Sequence, residues 1–286
     1  MTTIAVTAAS GQLGRAIVNA LTASDSADTV IAIARNPDKA RDLGVEVRQG
    51  DYTDRAGFER ALNGVDVVLL VSGMAAPDER IGQHRNVIEA ARTAGVGKIV
   101  YTSVQGPDKG TNFSPVVQSN RQTEQDIRDS GLDWVIGRNG IYIEPDIEYI
   151  NTYQAAGEIA NCAGEGKCGY TTRDELAYAY AQMLTSVAHN GRTYNLHGET
   201  LTQAELADYM SHASGTTLVY RAMSVEEYRQ DRIDELGEFM GTVIAGIYAG
   251  IRDGAFDNPS DYAEAAGRPH QSWSDYFERQ KKETIQ

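Results

Sequence analysis

The stretch Thr3-Ile-Ala-Val-Thr7-Ala8-Ala-Ser10-Gly11-Gln12-Leu13-Gly14-Arg-Ala-Ile-Val18 runs from a short β-branched apolar segment, through a glycine-punctuated turn, into an amphipathic helix. A strand, a tight turn and a helix N-terminus in that order make a phosphate cradle. Backbone N–H groups of the first helical turn aim at an anion, and the glycines leave no Cβ in its way. Where a G-x-x-G-x-x-G fingerprint would begin, this chain has Ala8, so the turn must form around a methyl group. Thr7, Ser10, Gly11, Gln12, Leu13 and Gly14 are the expected contacts of a dinucleotide pyrophosphate. A glycine-rich helix cap is the bland alternative.

The next apolar run, Thr29 to Ala34, ends in Arg35-Asn-Pro-Asp38. An acidic side chain at this strand tip would bind ribose hydroxyls, whereas a basic one can pair with a 2′-phosphate. Arg35 therefore points to NADP, against the plainer reading of an arginine that merely starts a short helix.

Strand-like and helix-like segments alternate through the first half. Strands are expected at Thr3 to Ala8, Thr29 to Ala34, Val45 to Gln49, Asp66 to Ser72, Lys98 to Ser103 and Asp133 to Arg138. Helices are expected near Leu13 to Ala23, Arg55 to Leu62, Ile81 to Ala94 and Val116 to Asp129. This order predicts an α/β fold, a Rossmann-type doubly wound parallel sheet with a smaller C-terminal α/β lobe. The division expected is residues 1–150 for the dinucleotide and 151–286 for the substrate, the two interwoven rather than folding independently. Ligands of such sheets bind beyond the carboxyl ends of the strands, which brings forward Asp51 and Tyr52, Ser72 and Gly73, Thr102 and Ser103, and Asn139 with Tyr142. Each also has an ordinary use as a cap or turn residue.

The 286 residues are 41% hydrophobic, enough to bury a large core, and carry a net charge of −14, which disfavours nucleic acid as a partner. No apolar run reaches membrane-spanning length and no basic leader precedes the first strand, so a cytoplasmic protein without a membrane partner is expected. Cys162 and Cys168 read as two reduced thiols, and without nearby histidines they make a poor zinc site. In the last third, Gln203 to Ser214 reads as a helix, Thr217 to Arg221 as a strand and Val225 to Gly237 as a helix. The apolar, small-residue segment Phe239 to Ile251 is a substrate wall, a core helix or a homodimer face, packing being the commonest of these uses. Trp273 and Tyr276 read as an anchor for the last helix.

Taken together, Thr7 to Gly14, Ala34-Arg-Asn-Pro37, Gly50-Asp-Tyr52, Gln83-His-Arg-Asn-Val-Ile-Glu-Ala-Ala91, Lys98 to Ser103 and Arg138-Asn-Gly-Ile-Tyr142 resemble the NmrA-like branch of atypical short-chain dehydrogenases. Within that branch they look most like the NADPH-dependent quinone oxidoreductase 2 and triphenylmethane dye reductase group. Gly166 to Ala177, Tyr194-Asn-Leu196, Leu201 to Ala207 and Gly254-Ala-Phe256 continue the likeness along nearly the whole chain. The resemblance implies NADPH at Gly11 to Gly14 and Arg35, and a small aromatic substrate between the sheet and the C-terminal part. Neither flavin nor metal is expected. Asn120 takes the place where the group often has a histidine, and an amide cannot shuttle a proton near neutral pH.

None of the 15 tyrosines is followed four residues later by a lysine, so the acid used for ordinary alcohol dehydrogenation is missing. A quinone or cationic dye can accept hydride directly, which leaves the protein a positioning task, with Asn139, Tyr142 and Asn120 beside the acceptor. A non-catalytic NADP-binding redox sensor, and a reductase of another activated carbonyl compound, remain compatible with the sequence.

Overall fold

A computed structural model describes residues 2–23 and 28–284. In chain order the elements begin with β1 (Thr3–Val6), α1 (Gln12–Thr22), β2 (Thr29–Ala34), β3 (Glu46–Gln49), α2 (Arg55–Ala61) and β4 (Val67–Val71). They continue with α3 (Pro77–Ala94), β5 (Lys98–Val104), α4 (Ser114–Arg128), β6 (Asp133–Asn139) and β7 (Ile141–Tyr142). Next come α5 (Glu144–Glu148), α6 (Ile150–Ala156), β8 (Glu158–Asn161), β9 (Cys168–Thr171), α7 (Arg173–Thr185) and β10 (Arg192–Leu196). The chain closes with β11 (Thr200–Leu201), α8 (Gln203–Ser214), β12 (Val219–Ala222), α9 (Val225–Leu236), α10 (Glu238–Arg252), α11 (Tyr262–Ala266) and α12 (Trp273–Thr284).

Seven strands form one sheet in the order β10-β6-β5-β4-β1-β2-β3, and every neighbouring pair is parallel. Crossover helices cover both faces, so the central strands read as continuous apolar runs such as Val67-Val-Leu-Leu-Val71. On one face α1, α7 and α11 bury Ile17, Leu176, Tyr180 and Tyr262. On the other, Phe58, Val87, Ile88 and Ile127 pack beneath α2 to α4. The fold is the Rossmann-like α/β architecture expected from the alternation of segments. Its seventh strand comes from residues beyond 150: β10 pairs with β6 from Arg192↔Val135 to Leu196↔Asn139, so the two segments share one sheet.

The C-terminal lobe gathers two small sheets, β11-β9-β7 and β12-β8, around Tyr170, Leu206, Phe256 and Trp273. Glycines let α10 sit close to its supports. A Cβ on Gly246 would stand 2.3 Å from the Phe113 backbone nitrogen, and one on Gly241 would stand 2.4 Å from that of Ile233. The small residues of this helix therefore serve packing together with Tyr248 and Ile251, while Phe239, Met240, Val243, Ile244 and Ile247 face the strand tips.

Candidate active site

At the carboxyl ends of β1, β4, β5 and β6 lies a cavity of about 620 Å³. Its floor is the β1–α1 turn and the strand tips, and its roof is α10 through Phe239, Met240, Val243, Ile244 and Ile247. Gly11, Gln12, Leu13, Gly14, Ser72, Gly73, Thr102, Ser103, Asn120, Asn139 and Tyr142 all line it. Thr7, Ser10, Arg35, Asp51 and Tyr52 do not.

The turn after β1 shows why its residues are needed. Ala8 sits at φ 48°, the one non-glycine residue with positive φ among those described, and Gly11 N–H donates to its carbonyl at 2.9 Å. A Cβ on Gly14 would stand 2.6 Å from that same carbonyl oxygen. Gly11 caps α1 without a side-chain bond, and no acidic residue occupies the first turn. Free first-turn N–H groups, a positive dipole end and an open approach fit the pyrophosphate of a dinucleotide. Arg35 is exposed at the β2 tip and makes no ion pair with a carboxylate among the described residues. Asp51 beside it is spent on the Thr53 N–H and hydroxyl, which together with the Arg35 charge hold its carboxyl below the usual range.

A left-handed alanine costs about 1–2 kcal/mol, and glycine returns part of that gain through its freer unfolded chain. Ala8→Gly is accordingly expected to raise the melting temperature by about 1–3 °C and to leave NADPH affinity within about twofold. A lower melting temperature would show that the methyl group makes contacts outweighing the strain.

Thr7 and Tyr52 turn inward. The Val71 N–H donates to Thr7 Oγ1 at 3.0 Å, the Tyr52 hydroxyl lies 2.6 Å from Thr7 Oγ1, and it donates to the Val71 carbonyl at 2.7 Å. This lock fixes β4 against β1, and the phenol is held above its ordinary range by burial.

Asn120 lines the cavity with its oxygen already occupied, accepting from Ser72 Oγ at 3.1 Å and from the Tyr101 hydroxyl at 2.6 Å, while its Nδ2 donates to the Val116 carbonyl at 2.8 Å. Asn139 donates to the Tyr142 hydroxyl at 3.1 Å and accepts from the Tyr180 hydroxyl at 2.6 Å. Burial, only partly offset by the Asn139 bond, pushes the Tyr142 phenol up to about 12, so it stays protonated at neutral pH. The Arg173 guanidinium lies 5.7 Å over its ring.

Several residues of the site were not singled out by sequence reasoning. Arg80 and Arg173 line the cavity, and His84 lies just behind it. The Gly73 N–H donates to His84 Nε2 at 3.0 Å, while Nδ1 is 2.9 Å from Thr123 Oγ1, whose own proton goes to the Ser119 carbonyl. His84 is thus the neutral Nδ1–H tautomer, and burial followed by the nearby Arg80 charge lowers it from 6.5 to about 3. His84 lies within the segment Gln83 to Ala91 that the family likeness had already marked and Arg80 lies just before it, but the burial of both is a tertiary fact.

Between those two values the unfolded chain binds a proton at this position and the folded chain does not, so stability falls as pH falls through that window. From pH 7 to pH 5 the expected loss from His84 is about 2 kcal/mol. Urea unfolding at the two pH values should show His84→Gln losing less than the parent by about that amount. Identical losses would place the titration elsewhere.

Among the described residues no group of three or more His, Cys, Asp or Glu is arranged to hold a metal, and no helix is long and apolar enough to cross a membrane. Cys162 and Cys168 are buried free thiols, pushed up by burial.

Residues 8–187 match the NAD(P)H-binding family. The chain is 34% identical over 275 residues to quinone oxidoreductase 2 of Escherichia coli strain K12, covering 93% of this chain and 94% of that one. The crystal structure of the Escherichia coli NADPH-dependent quinone oxidoreductase complexed with NADPH superposes with a TM-score of 0.85 at 32% identity, over 96% of this chain and 99% of that one. Triphenylmethane reductase of Citrobacter sp. complexed with NADP(H) superposes at 0.89 with 33% identity, over 97% and 99%.

Proposed function

This chain belongs to the NAD(P)H-binding family and is an oxidoreductase with NmrA-like relatives, and on that premise we propose that it reduces a quinone-like or dye-like aromatic acceptor by direct hydride transfer from NADPH. When bound, the cofactor supplies the hydride. The first-turn N–H groups of α1 would hold its pyrophosphate, Arg35 would pair with its 2′-phosphate, and Ser72, Thr102 and Ser103 would border its nicotinamide.

The observation that carries the reading is the makeup of the cavity wall. Its roof is aliphatic and aromatic, and no lysine, histidine or carboxylate lines it among the described residues. The wall offers no general acid tuned near neutrality, since Tyr142 is raised and Asn120 is an amide already engaged. What remains is orientation. Asn139 fixes the Tyr142 hydroxyl, Arg173 stands over its ring, and α10 lines the slot with apolar side chains.

Steady-state oxidation of NADPH and NADH with benzoquinones, naphthoquinones and triphenylmethane dyes tests the reading. NADPH should be preferred, and Tyr142→Phe should retain kcat within about threefold, while Tyr142→Ala should lower kcat/KM by about tenfold or more through looser acceptor packing. If Tyr142→Phe alone abolishes reduction while NADPH binds normally, Tyr142 is the proton donor and direct transfer without an acid is wrong. Tight NADPH binding with no acceptor reduced at all would make the chain a sensor.

A further inference from the structure

Arg80 opens onto the acceptor side of the cavity from the first turn of α3, yet it is 5% exposed. Its Nη2 donates to the Ala75 carbonyl at 3.0 Å and its Nη1 to Ser119 Oγ at 3.3 Å. Its Nε–H has no partner, and no carboxylate lies within ion-pair distance among the described residues. A guanidinium offers five N–H donors and cannot give up its charge in a protein, so most of this donor capacity is buried and uncommitted. Burial lowers Arg80 from its ordinary range, which is the mark of an uncompensated cation. An unpaired buried charge is costly to a fold, and it also lies near a helix N-terminus, where the dipole repels it.

The rest of the wall sharpens the point. Arg80 and Arg173 are the charged side chains lining the cavity, and Arg173 already faces the Tyr142 ring, with Glu148 at 3.6 Å. Ser119 and Asn120 on α4 tie Arg80 to the same corner as Ser72, where the acceptor would meet the nicotinamide. The site therefore has positive charge waiting and no negative charge to receive a cation.

We propose that Arg80 binds the oxygen of the hydride acceptor and makes the site selective for acceptors that leave hydride transfer as an oxyanion. The inference rests on the hydride-transfer reading above and names its substrate class. With a quinone, a C–H bond of the reduced nicotinamide breaks and an O–H bond forms at one carbonyl oxygen, both carbonyl π bonds are lost as the ring becomes aromatic, and the negative charge resides on the other oxygen as a hydroquinone monoanion. A proton from water then completes the hydroquinone, and the nicotinamide donor is the group oxidised. Arg80 stabilises charge that exists only after transfer begins, so it acts on kcat more than on KM. A triphenylmethane cation behaves in the opposite way. It enters with positive charge and leaves neutral, so Arg80 opposes its binding and gives its reduction no help.

The test uses the full chain and its Arg80→Gln and Arg80→Lys variants. Arg80→Gln should lower kcat/KM for a naphthoquinone by at least tenfold, mainly through kcat, should leave the NADPH dissociation constant unchanged, and should leave reduction of a cationic dye unchanged or faster. Arg80→Lys keeps the charge and should recover part of the quinone activity, and it serves as the readout should Arg80→Gln fail to fold. Independently of turnover, a nitrophenolate titrated into the NADP-loaded protein should bind at least tenfold more tightly to the parent than to Arg80→Gln, with Arg80→Lys between the two, and its neutral methyl ether should not discriminate. Equal losses for quinone and dye, or equal phenolate affinity in parent and variants, would overturn the assignment. If the parent reduces neither class of acceptor, the hydride-transfer reading fails, and the phenolate titration still decides the role of Arg80.

Discussion

Gly14→Ala should abolish useful NADPH binding, weakening it by about 100-fold, or close to 3 kcal/mol. The added Cβ would lie 2.6 Å from the Ala8 carbonyl oxygen and 3.0 Å from both the Ala8 carbonyl carbon and Ala9 Cα. All three are backbone atoms of a turn that already holds Ala8 in the left-handed region, so no flexible side chain can move aside. The N-terminus of α1 must back away from β1 instead, and the N–H groups of its first turn then miss the phosphates. Overpacking of this kind also costs about 1–3 kcal/mol of stability. Fluorescence titration with NADPH, alongside a thermal melt, separates the two effects. Gly11 is a natural control, since a Cβ there would come no nearer than 3.3 Å to the same oxygen. Gly11→Ala should therefore leave the melt nearly unchanged. A Gly14→Ala protein that binds NADPH within threefold of the parent would refute the cradle.

Glu124→Gln should be the most destabilising isosteric change on the sheet side of the site, costing about 3–5 kcal/mol. Its carboxylate is fully buried and accepts from Arg138 at 2.7 and 2.9 Å, from Arg121 at 2.9 Å, from Arg128 at 3.1 Å and from Ser103 Oγ at 2.7 Å. Burial pushes this carboxyl up, but the Arg138 bonds and the Arg121 charge prevail and hold it below its ordinary value. A depressed carboxyl contributes stability that is fully present above the unfolded value and is lost as pH falls through the folded one, so the cluster is intact at neutral pH. An amide in this place would leave three guanidinium groups around a neutral centre. It would also free Ser103 and Arg138 at the tips of β5 and β6, so kcat should fall even at temperatures where the fold survives. Urea unfolding at pH 7 measures the first effect. A loss under about 1 kcal/mol would mean that water replaces the carboxylate around the partly exposed arginines.

Local order fixed much of this protein in advance. Six strands and four helices of the first half, and the tight strand-turn-helix at β1 and α1, were legible because each depends on neighbours in sequence: apolar runs of strand length, helical periodicity and two glycines three residues apart. The roof helix α10 was legible as an apolar segment, though not the direction in which it would face. β10 was missed as a strand because only Tyr194 and Leu196 of its five residues are buried, the pattern of an edge strand too short and too polar to stand out.

Tertiary structure alone decided what each polar residue at the strand tips would do. Thr7 and Tyr52 are 45 residues apart and lock β1 to β4 rather than facing a ligand. His84 supports Gly73 from within α3, and its neutrality follows from burial beside Arg80, which no local pattern records. Arg80, unpaired at a cavity wall, and Glu124, shared among three arginines, would look alike in sequence as charges on amphipathic helices. The sequence determined the backbone path and the turn between β1 and α1 because these are set by local sterics and hydrogen bonding. The charge inside the pocket depends on which distant side chains the fold buries together, and burial fixes whether a given charge is neutralised within the protein or left for a ligand to meet.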